Sequence, residues 1–388
     1  MTPAVDCDVA IVGAGPAGAA VAVGLHRAGL RVRLLDREPV RPLPGDYDAR
    51  VYALSPASVD LLDVLGVWPA VSGVRASPYT HMQVWENEPA QSLHFDAADA
   101  RRPLLGHIVE HGVLVQALLA ALPPALLQVP AEVTGCRIDA DAAVLELGDG
   151  SRLRARLVVA ADGPQSALRG MLGVDLLRSD YDQTAVVCHV STERPHQQAA
   201  YQRFLDTGPL ALLPLADGRS SLVWSTTEAA ALLAMDETAF CATLAAASQH
   251  VLGGVLACSP RRSFPLQLQQ AERYAGQRFA LAGDAAHVVH PLAGQGLNLG
   301  FGDARVLVET LTAAREARRD PGSARVLGRY QRARLAATHE MMAITDGLYR
   351  AWRLQLPGWR WLRQRGLQSV NALAPLRQAL VRRACDLS

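Results

Sequence analysis

The sequence predicts an α/β protein: a Rossmann-like parallel unit interleaved with a β-rich unit, followed by a helical C-terminal region. Three observations carry this. A buried strand, the turn GAGPAG, a helix of small residues and a second strand open the chain between Asp8 and Asp36. A β-rich stretch from Thr184 to Thr227 follows much later, with Asp217-Gly218 between two apolar runs, a hairpin signal. A further short apolar strand, Phe279–Ala282, then leads into the glycine-rich run GDAAHVVHPLAGQGLNLG and a long helical pattern. The nucleotide-type elements therefore come in pieces with β-rich segments between them.

The elements follow in order. Arg31–Asp36 (RVRLLD) is the second strand of a βαβ beginning, and DARVYALSPAS (Asp48–Ser58) leads into an amphipathic helix ending near Gly66. Alternation from Ser77 to Phe95 predicts two strands. Leu105–Leu122 reads as helical spacing throughout. Strands are expected at Glu132–Ile138, Val144–Leu147 and Arg156–Ala161. The C-terminal pattern is helical, broken at Pro357 and Pro375. The predicted division is 1–75, 104–175 and 277–345 for the nucleotide unit, 76–103 and 176–276 for the β-rich unit, and 346–388 for a basic helical region.

Composition excludes several chemistries. All 38 basic residues are arginine, so neither a Walker-type phosphate loop nor a Schiff-base lysine can exist here. Formal net charge is +1, which gives no argument for a nucleic-acid partner. The charge is uneven, however: 305–388 holds 16 Arg against 6 Asp/Glu. The six cysteines are scattered with no CxxC pair, as for reduced thiols in a cytosolic protein. The uncharged run Val9–Leu25 lacks a basic flank and contains Gly and Pro, so strand, turn and helix explain it better than a membrane segment.

Gly13-x-Gly15-x-x-Gly18 follows a strand and opens a helix, with Asp36 23 positions after Gly13. In such a loop Gly13 permits the tight turn, Gly15 the approach of a pyrophosphate, and Gly18 the packing of helix on strand. Asp36 is then placed to accept from a ribose hydroxyl. This motif alone does not separate NAD(P) from FAD.

The other motifs do. RFALAGDAAHVVHPLAGQGLNLGFGDA resembles the GD motif of the p-hydroxybenzoate-hydroxylase-like FAD-dependent aromatic hydroxylases, and LVVAADGPQSALRGMLG resembles their DG motif. LGVWPAV, MQVWEN, LGHIVEHGVL and ALLPLADGRSSLVWS are similar to the ubiquinone-biosynthesis hydroxylases of that family. The resemblance spans essentially the whole chain. It implies bound FAD, with Gly13, Ala14, Gly15, Pro16, Ala17, Gly18, Asp36 and Arg37 around the ADP half and Arg50 close to the cofactor. It implies Asp162 and Gly163 by the pyrophosphate, Gly283 and Asp284 at the ribityl chain, and Pro291, Gly294, Gln295, Gly296, Leu297 and Asn298 at the flavin ring. The implied reaction is ring hydroxylation of a polyprenylated phenol on the path to ubiquinone, with NAD(P)H as transient reductant and O2 as oxygen source. Other flavoproteins on the same scaffold, a prenyl-chain reductase or an epoxidase, stay open, as does a non-catalytic flavin-binding scaffold.

No catalytic side chain is assigned. His111 stands where relatives often carry an amide-bearing residue and is not read as a base. His107/His111 and His287/His290 have spacings that raise a metal site, but neither pair has an evident third ligand, so no metal is expected. The tail from Leu348 mixes Trp352, Trp359 and Trp361 with eight arginines. It suits either a helical cap on the flavin unit or contact with anionic lipid or partner proteins. The expected location is cytoplasmic, peripheral to the inner membrane.

Overall fold

The computed structural model describes residues 5–43, 45–290, 294–353, 365–366 and 373–386. Strand β1 (Cys7–Val12) is buried at every position but Asp8, as a central parallel strand covered on both faces must be. Helix α1 (Pro16–Arg27) begins on a proline, whose missing N–H is no loss in a first helical turn. Its buried face is built from Gly18, Ala19, Ala20, Ala22 and Gly24, which let it lie close to its neighbours. Strand β2 (Val32–Leu35) pairs parallel with β1.

Arg152–Ala160 lies parallel on the other side of β1, and Phe279–Leu281 lies parallel beyond that. Strands distant in sequence thus share one eight-stranded sheet, which also takes in Leu127–Gln128 beside β2. Their side chains form the largest core, with Ile11, Leu34, Val158, Leu281, Phe301 and Tyr330 all fully buried. A three-stranded antiparallel sheet stands apart, with Gly106–Glu110 between β3 (Val51–Leu54) and Ser77–Tyr79. Helix α2 (Pro56–Val64) follows β3 directly.

This arrangement corrects one expectation. Leu105–Leu122 is not helical throughout: Gly106–Glu110 is a strand and the helix is His111–Ala120. Pairing on both edges overrides the local period there, because both neighbouring strands need the backbone groups of 106–110.

The second large sheet has nine strands around the 17-residue strand Leu176–Thr192. That strand pairs with Arg262–Ala271 on one side and Ser220–Thr226 on the other. Burial alternates strictly along Ala199–Leu205 and Gly208–Pro214, the pattern of a sheet with two different faces. The predicted hairpin is present: Gly208–Pro214 and Ser220–Thr226 pair antiparallel, and Gly218 in the turn has φ +92°. One face of the sheet packs Val186, Cys188, Leu222 and Trp224 against Phe240 and Leu244 of the helix Glu237–Ala247. Beyond the hairpin strand, Leu213 and Leu215 reach Ala53 and Ile108 of the three-stranded sheet.

Two long helices close the chain. Gln295–Glu316 packs on α1, where Gly24 leaves room for Val308. In Ala324–Arg353 the buried Tyr330 donates its hydroxyl to Leu281 O at 2.6 Å. Where described, the C-terminal region touches the β-rich unit. Trp352 stacks on Phe204 with ring centroids 4.0 Å apart. Val381 of the helix Ala374–Asp386 packs against Ala97 and Leu105, and Arg377 forks onto Asp99 at 2.8 and 2.9 Å. The physical reason is complementarity: the edge around Ala97–Asp99 offers one apolar hollow and one carboxylate, which match Val381 and Arg377. Trp359 and Trp361 lie outside the described residues. Among those described, no helix is long and apolar enough to cross a membrane.

The Arg377 fork holds the Asp99 carboxyl below the usual carboxylate range. A depressed folded-state pKa stabilises docking above the unfolded carboxylate value and ceases to do so as pH falls through the folded one. Limited proteolysis should therefore spare the C-terminal helix at pH 7 and release it as pH drops below about 4. Arg377→Ala should release it at pH 7.

Candidate active site

Adjacent strands of the parallel sheet end together, and each end carries one glycine motif. Gly13 N–H donates to Leu35 O at 2.8 Å, Ala161 N–H to Val12 O at 2.7 Å and Ala282 N–H to Ala160 O at 2.9 Å. Open α/β sheets bind ligands at this carboxyl edge. The motifs also touch one another. Gly13 has φ +108°, and a Cβ there would stand 2.2 Å from Ala161 O, so only glycine fits. The position of a Cβ on Gly283 is 3.0 Å from the Ala17 methyl. Buried Arg169 joins the second motif to the third, donating to Pro164 O at 3.0 Å and Ala285 O at 2.9 Å.

Whether FAD fits can be asked of the space and the donors. Cβ positions built on Gly15, Gly163 and Gly296 meet nothing within 4 Å. Both α1 and Gln295–Glu316 start after a glycine, with no side-chain cap and no acid in the first turn. Their first-turn N–H groups and positive dipole ends suit, respectively, a pyrophosphate and an electron-rich ring. A cleft of about 580 Å³ next to β2 is lined by Arg37, Glu38, Gln128 and Pro130, among others. The residues present fit the dinucleotide.

Several predicted residues do work within the chain. Asp36 accepts from Ala14 N–H at 2.6 Å and from Glu38 N–H at 2.9 Å, so it pins the first loop to the end of β2. Each of its oxygens keeps a second lone pair for a ribose hydroxyl. Asp162 accepts from the Ser166 hydroxyl and from Leu168 N–H, fixing the start of the helix Ala167–Met171. Asn298 turns its side chain inward: it accepts from Ser55 N–H at 3.0 Å and Ser58 Oγ at 2.8 Å, and donates to Ala53 O at 2.9 Å. It staples the helix to β3 and α2, leaving the exposed donors of the turn to the backbone of Gly294–Leu297. Gly294 has φ +66° and packs on Ala53. Pro291 lies outside the described residues.

Asp284 and Arg50 face each other at 4.0 Å, both partly open to solvent. Burial pushes the Asp284 carboxyl up, and Arg50 acts against that. The Arg50 guanidinium lies 5.5 Å from the centre of the Tyr52 ring. The Tyr52 hydroxyl pairs with His111 Nδ1 at 2.9 Å. Burial, helped by Arg50, pushes His111 down to about 4, so the ring is neutral at pH 7 and is held by Tyr52 rather than poised as a base.

The histidine pairs have separate partners. His107 packs edge-on to Trp68 at 4.8 Å, away from the His111–Tyr52 contact. His290 meets Gln183 Oε1 at 3.1 Å, whereas His287 Nε2 meets Asp303 at 2.7 Å.

Asp303 is the residue that sequence reasoning left without a role. It is wholly buried. Its carboxylate accepts from Gly283 N–H at 2.8 Å, His287 at 2.7 Å and Arg334 Nε at 2.6 Å, while Arg334 Nη2 also donates to Leu299 O. Burial alone would raise its pKa, but His287 and Arg334 outweigh it and hold the carboxyl below the usual range. The one available signal was an acid inside the otherwise uncharged run GLNLGFGDA; Arg334, in the next helix, gave none.

Three strand ends meeting at one sheet edge, with two helix starts that carry no side-chain cap, define a dinucleotide-binding α/β flavoprotein. Comparison with known proteins gives the particulars. The model of the family described as FAD binding domain matches residues 6–345. The chain is 39% identical over 383 residues to the ubiquinone hydroxylase UbiL of Rhodospirillum rubrum, covering 97% of this chain and 89% of the relative. It is 38% identical to the 3-demethoxyubiquinol 3-hydroxylase of Escherichia coli K12, covering 98% of each. The p-nitrophenol 4-monooxygenase PnpA of Pseudomonas putida has the same fold, with TM-score 0.78, 19% identity and 98% of each chain covered. HpxO of Klebsiella pneumoniae, solved with FAD and uric acid, superposes with TM-score 0.77 at 21% identity over 96% of each chain. The chain belongs to the FAD-binding flavoprotein hydroxylases, in the group of ubiquinone-biosynthesis hydroxylases.

Asp303→Asn removes a charge that buried Arg334 and the Gly283 turn depend on. It should cost about 3 kcal/mol of unfolding free energy and lower flavin retention, read by denaturant unfolding and by visible absorbance. Gly13→Ala should fold poorly. Gly15→Ala, built into open space, should keep the fold and weaken FAD binding, read by flavin release on dilution.

Proposed function

We propose that this chain hydroxylates the aromatic ring of a polyprenylated phenol on the path to ubiquinone, using NAD(P)H and O2. The observation that carries the reading is the meeting of three glycine motifs at one sheet edge, in a chain similar along nearly its whole length to the hydroxylases named above. FAD, when bound, supplies the reduction by NAD(P)H and the activation of O2.

The chain's own residues bind and orient. Gly13–Gly18, Asp36 and Arg37 would hold the ADP half, Asp162 and Gly163 would lie by the pyrophosphate, and Asp284 would accept from the ribityl chain. Gly294–Leu297 would direct backbone amides at the ring, where negative charge gathers on reduction. Arg50, opposite Asp284, would lie at the cofactor edge. Leu213, Leu215, Ala53 and Ile108 form an apolar cluster beside β3, which would help keep water from that wall of the site. His111, neutral and tied to Tyr52, keeps its part of the wall uncharged.

The basic C-terminal region would bring the enzyme to an anionic membrane that holds its substrate. A chain ending at Pro357 should retain FAD but sediment less with anionic liposomes than the full chain.

The central reading is tested on purified protein. A flavin spectrum, NAD(P)H consumption stimulated by a prenylated phenol, and a product containing one oxygen atom from labelled O2 are expected. Flavin without product oxygen would leave the scaffold reading. A reduced prenyl chain would point to the reductase, and oxygen on the chain rather than the ring to an epoxidase.

A further inference from the structure

The fold brings together a group that sequence spacing does not show. Glu237 and Cys241 stand one turn apart on the same face of the helix Glu237–Ala247. Cys258 ends the strand Val255–Cys258, which pairs at the sheet edge with Leu176–Thr192. The Glu237 carboxylate and the two sulfurs all lie within 4.8 Å of one another. Glu237 is exposed, Cys258 half-buried and Cys241 buried, so the group opens to solvent on the carboxylate side.

We infer that Cys241, Cys258 and Glu237 form a binding site for a thiophilic divalent cation of the zinc type, remote from the flavin cleft, with its fourth position open to water. The donor set suits such an ion: two soft sulfurs and one carboxylate oxygen, as in three-ligand tetrahedral sites. Sulfurs on a tetrahedral zinc with bonds of about 2.3 Å stand about 3.8 Å apart, so closure needs movements of at most about 1 Å. The carboxylate is already oriented, because Glu237 Oε1 accepts from Cys258 N–H at 3.0 Å. Its other oxygen remains for the ion. Cys188, wholly buried two residues from the Val190–Cys258 pairing and on the same sheet face, adds a third sulfur to this corner.

Charge balance supports the assignment. Two thiolates and a carboxylate around a dication leave one net negative charge. Arg261 supplies the compensating positive charge from a fixed position. It donates to Leu232 O at 2.8 Å and Met235 O at 2.6 Å, and lies 4.7 Å from the Phe240 ring centre. Loading would follow Zn²⁺ + 2 RSH → Zn(SR)₂ + 2 H⁺, with both protons released to solvent and no change of oxidation state. The bound ion would clip the helix Glu237–Ala247 to the edge strand.

The test uses the full-length flavoprotein, reduced and stripped of metal, with ZnCl₂ and CdCl₂ as probes. One equivalent of zinc should survive gel filtration, with two protons released on binding. Cadmium should give the ultraviolet thiolate-to-metal band. Cys241→Ser and Cys258→Ser should each lower affinity roughly tenfold or more, and exposed Glu237→Gln should lower it while leaving the fold untouched. Flavin content confirms that each variant is folded. Zinc that binds equally to all three variants, or no retained zinc in the wild-type chain, would overturn the inference. Neither result bears on the hydroxylase reading.

Discussion

One buried carboxylate organises the third glycine motif. Asp303 has no access to water, so its charge must be met inside the protein. Arg334 and His287 meet it, and Gly283 N–H takes what remains. The consequence is mechanical. Three successive segments, the turn after Phe279–Leu281, the helix Gln295–Glu316 and the helix Ala324–Arg353, are fixed on one atom group. Gly283 then touches Ala17, which sets the distance between the first and third motifs.

The other contacts extend the same logic. Arg169 crosses from the second motif to the third through two carbonyls, and Asn298 fastens the flavin-side helix to β3 and α2. Polar side chains in the motifs thus divide into two groups. Asp303, Arg169 and Asn298 are turned inward and hold backbone in place. Arg50 and Asp284 stay partly open to solvent. At Gly15, Gly163 and Gly296 a Cβ would meet nothing within 4 Å, so main chain is accessible there. That suits a cofactor that brings its own reactivity and needs orientation and a fixed field more than a reactive side chain.

The β-rich unit and the C-terminal region are built on different terms. The nine-stranded sheet packs one face against its own helices. The C-terminal helices then lean on that unit through Trp352–Phe204 and Arg377–Asp99. A region that reads from sequence as a basic tail is therefore, where described, partly an element of the β-rich unit's edge.

The sequence by itself determined the fold class and the three motifs, because each depends on local rules: glycine where a turn needs positive φ, apolar runs for buried strands, small residues on α1; the cofactor class came from the resemblance of the second and third motifs to the flavoprotein hydroxylases. It also showed that Lys-based chemistry is impossible. Only the tertiary structure decided which motif side chains are tied to the chain's own backbone and which stay open to solvent. Asp36, Asp162 and Asn298 carry expected identities at expected positions, yet their side-chain hydrogen bonds run to Ala14, Leu168 and Ser55. The strand Gly106–Glu110 was hidden because its pairing partners lie elsewhere in the chain. Asp303–Arg334 and Cys241–Cys258 were hidden for the same reason. A contact between distant residues leaves no period in the sequence, and its energy exists only once the backbone has brought the two groups together.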